Sequence, residues 1–281
     1  MSSFTLREML LAGGILVVVG AAPIVQAVAQ QKAAAPDFSS GNVGWVGLNG
    51  TGPFFEAVPG RLPPVANDPA HHFVPNLVGR QPTYRIADLS NPNLKPWVKE
   101  RMKKDNDEVL AGKIAFTAGS SCMPAGVASF MAYGGPNPLY FLQTPNEVWM
   151  IVSSNQQIRR VYLDVPHSTN PKPSWYGESV GHYEGNTLVI DTIGQNDKTF
   201  VDVYRTPHTE NLHVVERWRI VDGGRMMEAT FTVEDADAFY QPWSGMRRYR
   251  RVQQEMNEDI CAENNQHLFD YHIPVAGQPD F

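Results

Sequence analysis

The chain has 281 residues, with 23 Lys and Arg against 29 Asp and Glu and a formal charge of −6. That balance argues against an overall basic surface for nucleic acid, and the mild acidity chiefly aids solubility. Two cysteines in the whole chain make a poor zinc site.

The first segment carries Arg7, then an uncharged run from Met9 to Ala29 that includes Leu10, Leu11, Ile15, Leu16, Val17, Val18 and Val19. It closes on Ala27-Val28-Ala29, a small-residue cleavage pattern, so residues 1–29 read as a signal peptide. About 20 apolar residues would also suffice to span a bilayer as an uncleaved anchor. Gly13, Gly14, Gly20 and Pro23 interrupt the run, and Gln30, Gln31 and Lys32 follow the site, which favours cleavage. Glu8 departs from a positive leading segment, and the lack of a twin arginine points to export as an unfolded chain. The expected location is periplasmic or secreted, with no membrane association once the signal is cleaved. An oxidising compartment lets Cys122 and Cys261 close into a disulfide.

Roughly 250 residues would remain, within the range of one large β domain or two smaller units. Residues 30–137 read as an irregular arm; from Gln30 to about Pro92 it is rich in Pro, Gly, Asn and Ala and wraps the body, too aromatic for full disorder, with Trp45, Phe54, Phe55 and Phe73 along it. One helix is expected in this arm, from about Lys95 to Leu110. Asn93 lies near its cap, Pro96 in the first turn and Gly112 at the stop, and its many charges turn most of it to water. From 138 to 281 the pattern becomes alternating and β-branched, broken by turn residues. It predicts strands at 139–143, 147–153, 157–164, 179–184, 187–193, 212–221, 226–233 and 246–253, with Gly185-Asn186 and Gly223-Gly224 as compact hairpin turns. The fold class is mainly β. Eight antiparallel strands in meander order remove their exposed edges by closing into an up-and-down, lipocalin-like barrel, and a twisted open sheet covered by the arm is the competing layout.

Within the strand at 212–221, Leu212, Val214, Glu216, Trp218 and Ile220 share one face. Glu216 is the only charge there. A carboxylate among apolar neighbours either pairs with a cation or keeps its proton, and Arg159 or Arg160 and Arg248 or Arg250 are the available cations. Glu216 is thus a candidate acid or base in a pocket, or half of a buried salt bridge that sets strand register. Around Gly185-Asn186, a two-residue loop pairs Glu184 with Thr187 and His182 with Val189. That puts His182, Glu184 and Asp191 on one face, with Asp191 diagonal to His182, an acid able to orient a histidine. An ordinary solvated face is the alternative. Gly177-Glu178-Ser179-Val180-Gly181 matches the spacing of a nucleophile elbow, yet a strand rather than a helix follows it. The segment Pro207 to His213 mixes His208, Glu210 and His213, but its histidines are five apart and enter a strand, unlike a zinc-protease helix; no metal is expected. Trp175, Tyr176, Tyr183, Trp243 and Tyr249 are candidate walls of an apolar ligand site. No phosphate-binding glycine loop or haem-attachment motif is present, so no cofactor is expected.

Three stretches carry a family resemblance: Trp175 to Thr192 (WYGESVGHYEGNTLVIDT), Pro207 to Trp218 (PHTENLHVVERW) and Ile260 to Asn264. They resemble a large family of exported bacterial proteins whose members carry W-x-G-x-S-x-G-x-W-E-G-D-T-L-V-V-D-T and a downstream H-x-E/D-x-L-H-V-x-E-R signature. Tyr183 stands in place of the usual Trp and Asn186 in place of the usual Asp. The resemblance implies an exported, β-rich body and supplies no activity.

The leading expectation is a barrel enzyme of the periplasm performing acid/base chemistry, as a lyase, isomerase or hydrolase, on a small, partly apolar or aromatic molecule. Its candidate catalytic residues are Glu216 and His213, then His182 and Asp191. Arg159, Trp175, Tyr183, His208 and Arg217 are candidate ligand contacts. A non-catalytic carrier of a lipid or aromatic compound is the second expectation, and an assembly factor docking through its arm the third.

Overall fold

The computed structural model describes residues 35–39, 43–48, 54–73, 85–131, 138–153, 157–261 and 275–276. The expected signal segment and its cleavage site lie outside the described residues. In chain order the strands are β1 (Val43–Gly47), β2 (Glu56–Ala57), β3 (Ile114–Ala115), β4 (Leu139–Gln143), β5 (Glu147–Val152), β6 (Gln157–Leu163), β7 (Glu178–Glu184), β8 (Thr187–Ile193), β9 (His213–Val221), β10 (Met226–Glu234), β11 (Trp243–Gln253) and β12 (Val275–Ala276). Two helices, α1 (Pro96–Leu110) and α2 (Val127–Phe130), precede β4.

The alternation read from the sequence is the alternation that folds. Along β6 every second residue is buried, and β9 and β10 likewise turn one face inward. β4 to β11 follow one another around the sheet, and β1 pairs with both β11 and β4, closing a barrel of nine staves. β2 extends the sheet by pairing with the start of β11, while β12 and β3 form a separate parallel pair.

Two features differ from an antiparallel meander of eight strands. β1 is a ninth stave and comes from the segment expected to wrap the outside; its residues are buried in an unbroken run rather than in alternation. Secondly, β6 and β7 run parallel. The link between them, residues 164–177, is long enough to carry the chain back along the wall, as a parallel pair requires and a hairpin turn cannot do.

Side chains fill the barrel. Phe141 stacks on Phe38 at 4.9 Å between centroids, Trp218 meets Phe141 edge-on at 5.7 Å, and Tyr249 stacks on Trp218 at 5.7 Å. Trp45, from β1, is buried with them and donates its indole N–H to the Phe38 carbonyl at 2.9 Å. α2 plugs one end. Gly126 enters it at φ 80°, a left-handed value that favours glycine, and a Cβ there would meet Thr199 Oγ1 at 2.4 Å. The Val127 amide donates to Gln195, and the Tyr249 hydroxyl donates to the Met131 carbonyl. Edge-on packing of Tyr176 on Phe130 seals the side of the plug.

α1 starts at Pro96, one residue past the expected start, and ends before Gly112, which takes φ 97°. Its N-cap is Lys95, with no side-chain cap. Asn93 instead exchanges hydrogen bonds with the backbone of Gln241, tying the helix entry to the link between β10 and β11. The stripe Val98, Met102, Asp105, Asn106 and Val109 is buried. Asp105, grouped by sequence with the water-facing charges, lies inside, and Asn106 both donates to and accepts from the Ala87 backbone.

Candidate functional site

Glu216 points into the barrel with its side chain fully buried, and so does Arg159 from β6. Arg159 donates to both carboxylate oxygens, at 3.0 Å from Nη1 and 2.5 Å from Nη2. The Ser179 hydroxyl accepts from Nε and Nη2, at 3.2 and 3.1 Å, and the Thr192 hydroxyl accepts from Nη2 at 2.9 Å. Strand registry makes this a single layer. Met150 faces Arg159, Ser179 faces Thr192, and Ile190 faces Glu216. A two-pronged pair with added hydroxyl acceptors meets the conditions under which two buried charges are tolerated. Ser179, the would-be elbow nucleophile, is part of this layer.

His213, one strand face away, is on the outer wall. Its Nε2 meets Asp191 Oδ1 at 3.1 Å and its Nδ1 meets Glu234 Oε2 at 3.2 Å. The same Asp191 oxygen meets His167 Nε2 at 2.8 Å, and His167 Nδ1 meets Glu178 Oε1 at 3.0 Å. Glu178, His167, Asp191, His213 and Glu234 thus form one row across β7, β8, β9 and β10, half-buried to exposed. Two of the expected catalytic residues, His213 and Asp191, come together here, away from Glu216. His182, expected beside Asp191, instead meets Glu184 at 3.1 Å, and Glu184 also accepts from Arg217.

A neutral imidazole has one N–H and one lone pair, whereas His213 faces a carboxylate at both nitrogens. Burial disfavours its cation, but hydrogen bonds and attraction from Asp191 and Glu234 outweigh this, so its pKa stands above the ordinary imidazole value. A raised pKa stabilises the folded state fully below the unfolded value of about 6.5, and that contribution disappears as pH climbs through the folded value. Unfolding free energy should therefore fall as pH rises above about 6.5, by under about 1 kcal/mol because solvent screens the row. His213→Gln should flatten that part of the urea-unfolding profile; an unchanged slope would show that the row does not hold a proton for the fold.

The expected ligand contacts are dispersed. Tyr183 accepts a 2.8 Å hydrogen bond from Gln143 at its hydroxyl, and burial pushes its phenol pKa up. Trp175 lies half-buried in the 164–177 crossover. His208 is buried, with Nδ1 on the Thr209 carbonyl at 2.9 Å and Nε2 on the Thr199 hydroxyl at 2.8 Å. Nδ1 donates to the carbonyl, so Nε2 accepts from Thr199, and burial holds the ring below the usual imidazole range. Glu210 is exposed. Among the described residues no three His, Cys, Asp or Glu side chains are arranged to hold a metal ion.

Beside the plug lies a cleft of about 220 Å³, lined by Phe54, Thr117, Ala118, Gly119, Ala125, Ser129, Phe200, Asp202 and Val203. The Asp202 carboxylate shapes one wall. Its Oδ1 accepts the amides of Tyr204 and Thr206, at 2.8 and 3.1 Å, and its Oδ2 accepts the Thr206 hydroxyl at 2.7 Å. Burial nevertheless raises its pKa, against those donors. The tight turn it holds sets Arg205 at φ 61°, a left-handed conformation uncommon outside glycine. The Ser129 hydroxyl donates to the Phe200 carbonyl, joining the two sides of the cleft. Sequence reasoning named Phe54 only as an arm aromatic and did not single out His167 or Asp202. All three lie outside periodic strands, where spacing carries no information about neighbours.

Cys122 and Cys261 are joined by a disulfide, with Cα atoms 5.6 Å apart. Among the described residues no helix is long and apolar enough to cross a membrane. Compared with protein-family models the chain matches none, and a comparison with curated proteins gives no match.

Proposed function

We propose that this protein is exported and that it binds a small, largely apolar molecule in the cleft beside its plug, using the barrel as a rigid frame. Export is supported by the apolar run with its Ala27-Val28-Ala29 ending, by the disulfide and by the resemblance to exported bacterial proteins. The observation that carries the binding reading is the cleft itself: two phenylalanines, two alanines and a valine make an apolar bed with a few polar groups at its edge. About 150 Å³ of dry apolar space accepts a benzene-sized molecule, so a body of one or two rings suits its volume.

Binding is favoured over acid/base turnover because the leading candidate acid is committed elsewhere. Both Glu216 oxygens are held by Arg159, deep among aromatic side chains, while His213 has a carboxylate on each nitrogen and no ring nitrogen left to accept a substrate proton. A general base needs direct or water-mediated reach to that proton.

Native mass spectrometry of protein purified from its own cell envelope should detect a retained small molecule at about one per chain. Val203→Trp, which puts an indole into the cleft from a half-exposed position, should release it while leaving the fold intact by circular dichroism. Retention of the same molecule by the Val203→Trp protein would reject the cleft as the binding place.

A further inference from the structure

We propose that the ligand of this cleft is an organic anion, its apolar or aromatic body resting on the cleft bed and its acidic group drawn to Arg85 and Arg247 beside Phe54, given that the cleft is the binding place.

Phe54 is a wall of the cleft and also a platform for positive charge. The Arg247 guanidinium stands 4.1 Å from its ring centroid and the Arg85 guanidinium 5.8 Å. Arg85 is additionally stacked on Phe73 at 4.0 Å and is only half-buried, so it borders solvent at this end. Arg247 projects from the inner face of β11, is 2% exposed and donates to the Phe54 carbonyl at 3.4 Å. Stacking engages the flat face of a guanidinium. Its N–H groups lie in the plane, around the rim, the arrangement that grips a carboxylate or sulfonate through parallel hydrogen bonds.

Two guanidiniums gathered at one ring repel each other. Burial pushes Arg247 below the ordinary guanidinium pKa, and the charge of Arg85 adds to that push. Asp202 spends its oxygens on its own turn, and both it and Asp105 feel the charge of Arg205. Burial raises the pKa of both acids. One end of an apolar cleft therefore carries a positive field. An amphipathic anion relieves the repulsion between Arg85 and Arg247 on entering; a neutral molecule with the same body leaves it in place.

The test uses two fluorescent probes with the same two-part aromatic body, anilinonaphthalene sulfonate and the uncharged phenylnaphthylamine, titrated into the full-length mature protein. The sulfonate should bind about tenfold more tightly than the neutral probe, and salt should weaken the sulfonate alone. Arg85→Gln should reduce sulfonate affinity to the level of the neutral probe and leave the neutral probe unchanged. Equal affinities in the unaltered protein, or an equal loss of both probes in Arg85→Gln, would overturn the anion assignment. Val203→Trp should remove both probes. If it removes both but the sulfonate was never preferred, the cleft stands and the anion assignment falls; if it removes neither, the cleft itself is not the binding place and both fall.

Discussion

Glu216→Gln should destabilise the protein by about 3–5 kcal/mol in urea unfolding, because it leaves the Arg159 charge buried without its counter-charge. The pair is sealed, with neither side chain exposed. Arg159→Met should cost a similar amount, now through a stranded carboxylate. Changing both at once, Arg159→Met with Glu216→Leu, should recover most of the loss, since a well-packed apolar pair avoids desolvating either ion. Ser179 and Thr192 make full recovery harder, because their hydroxyls then bond only each other, at 2.9 Å. A loss below about 1 kcal/mol for either single change would mean that water reaches the pair. The reading of Glu216 as part of the frame would then be wrong.

Removal of the disulfide is expected to have an effect of the same order. Cys122 and Cys261 are 139 positions apart, and the chain-entropy account assigns a loop of that length about 4–5 kcal/mol. Replacing both with serine should lower the urea midpoint accordingly. The bond also bears on the cleft: Ala118 and Gly119, in the turn just before Cys122, are part of its lining. On the other side, the Tyr140 hydroxyl holds the Gln254 and Glu255 carbonyls as the chain leaves β11 toward Cys261. Loss of the bond should therefore weaken probe binding along with the fold, measured below the unfolding transition. Unchanged binding would separate the cleft from this clasp.

Much of the barrel was legible because period-two alternation directly records which side of a wall each residue faces. β4 and β8 match the expected spans, and the other six expected strands differ only at their ends. β1 was not legible: all five of its residues are buried, its Gly-Trp-Val-Gly stretch shows no alternation, and it sits among turn-forming residues. Such a strand is specified by the gap it fills. The orientation of β7 was hidden for a related reason, since a long link between two strands reads the same whether it reverses the chain or carries it back.

The site shows the same division. Alternation put Glu216 inward, and one-residue parity along β6 selects Arg159 rather than Arg160 as its partner: Arg160 faces outward and binds Glu147. The hairpin register pairing His182 with Val189 is the observed one. The partner of Asp191, however, depends on how β8 lies against β9 and on where the crossover sets His167, and neither relation is local. Cleft and arginine pair are further removed still, assembled from segments near residues 54, 85, 118, 129, 202 and 247 that no spacing rule connects.

β1 has a topological meaning beyond the contacts it makes. A ring whose members alternate in direction must have an even count, so nine members require at least one like-directed neighbour pair, which here is β6 with β7. The two irregularities are therefore one. Without β1, β11 and β4 would face each other pointing the same way, without the five-pair antiparallel ladder that joins β11 to β1 or the antiparallel Trp45–Leu139 pair that joins β4 to it. Two raw edges would be left open, the condition under which sheets recruit strands from other molecules, so the segment around Trp45 is the keystone that closes the ring of staves.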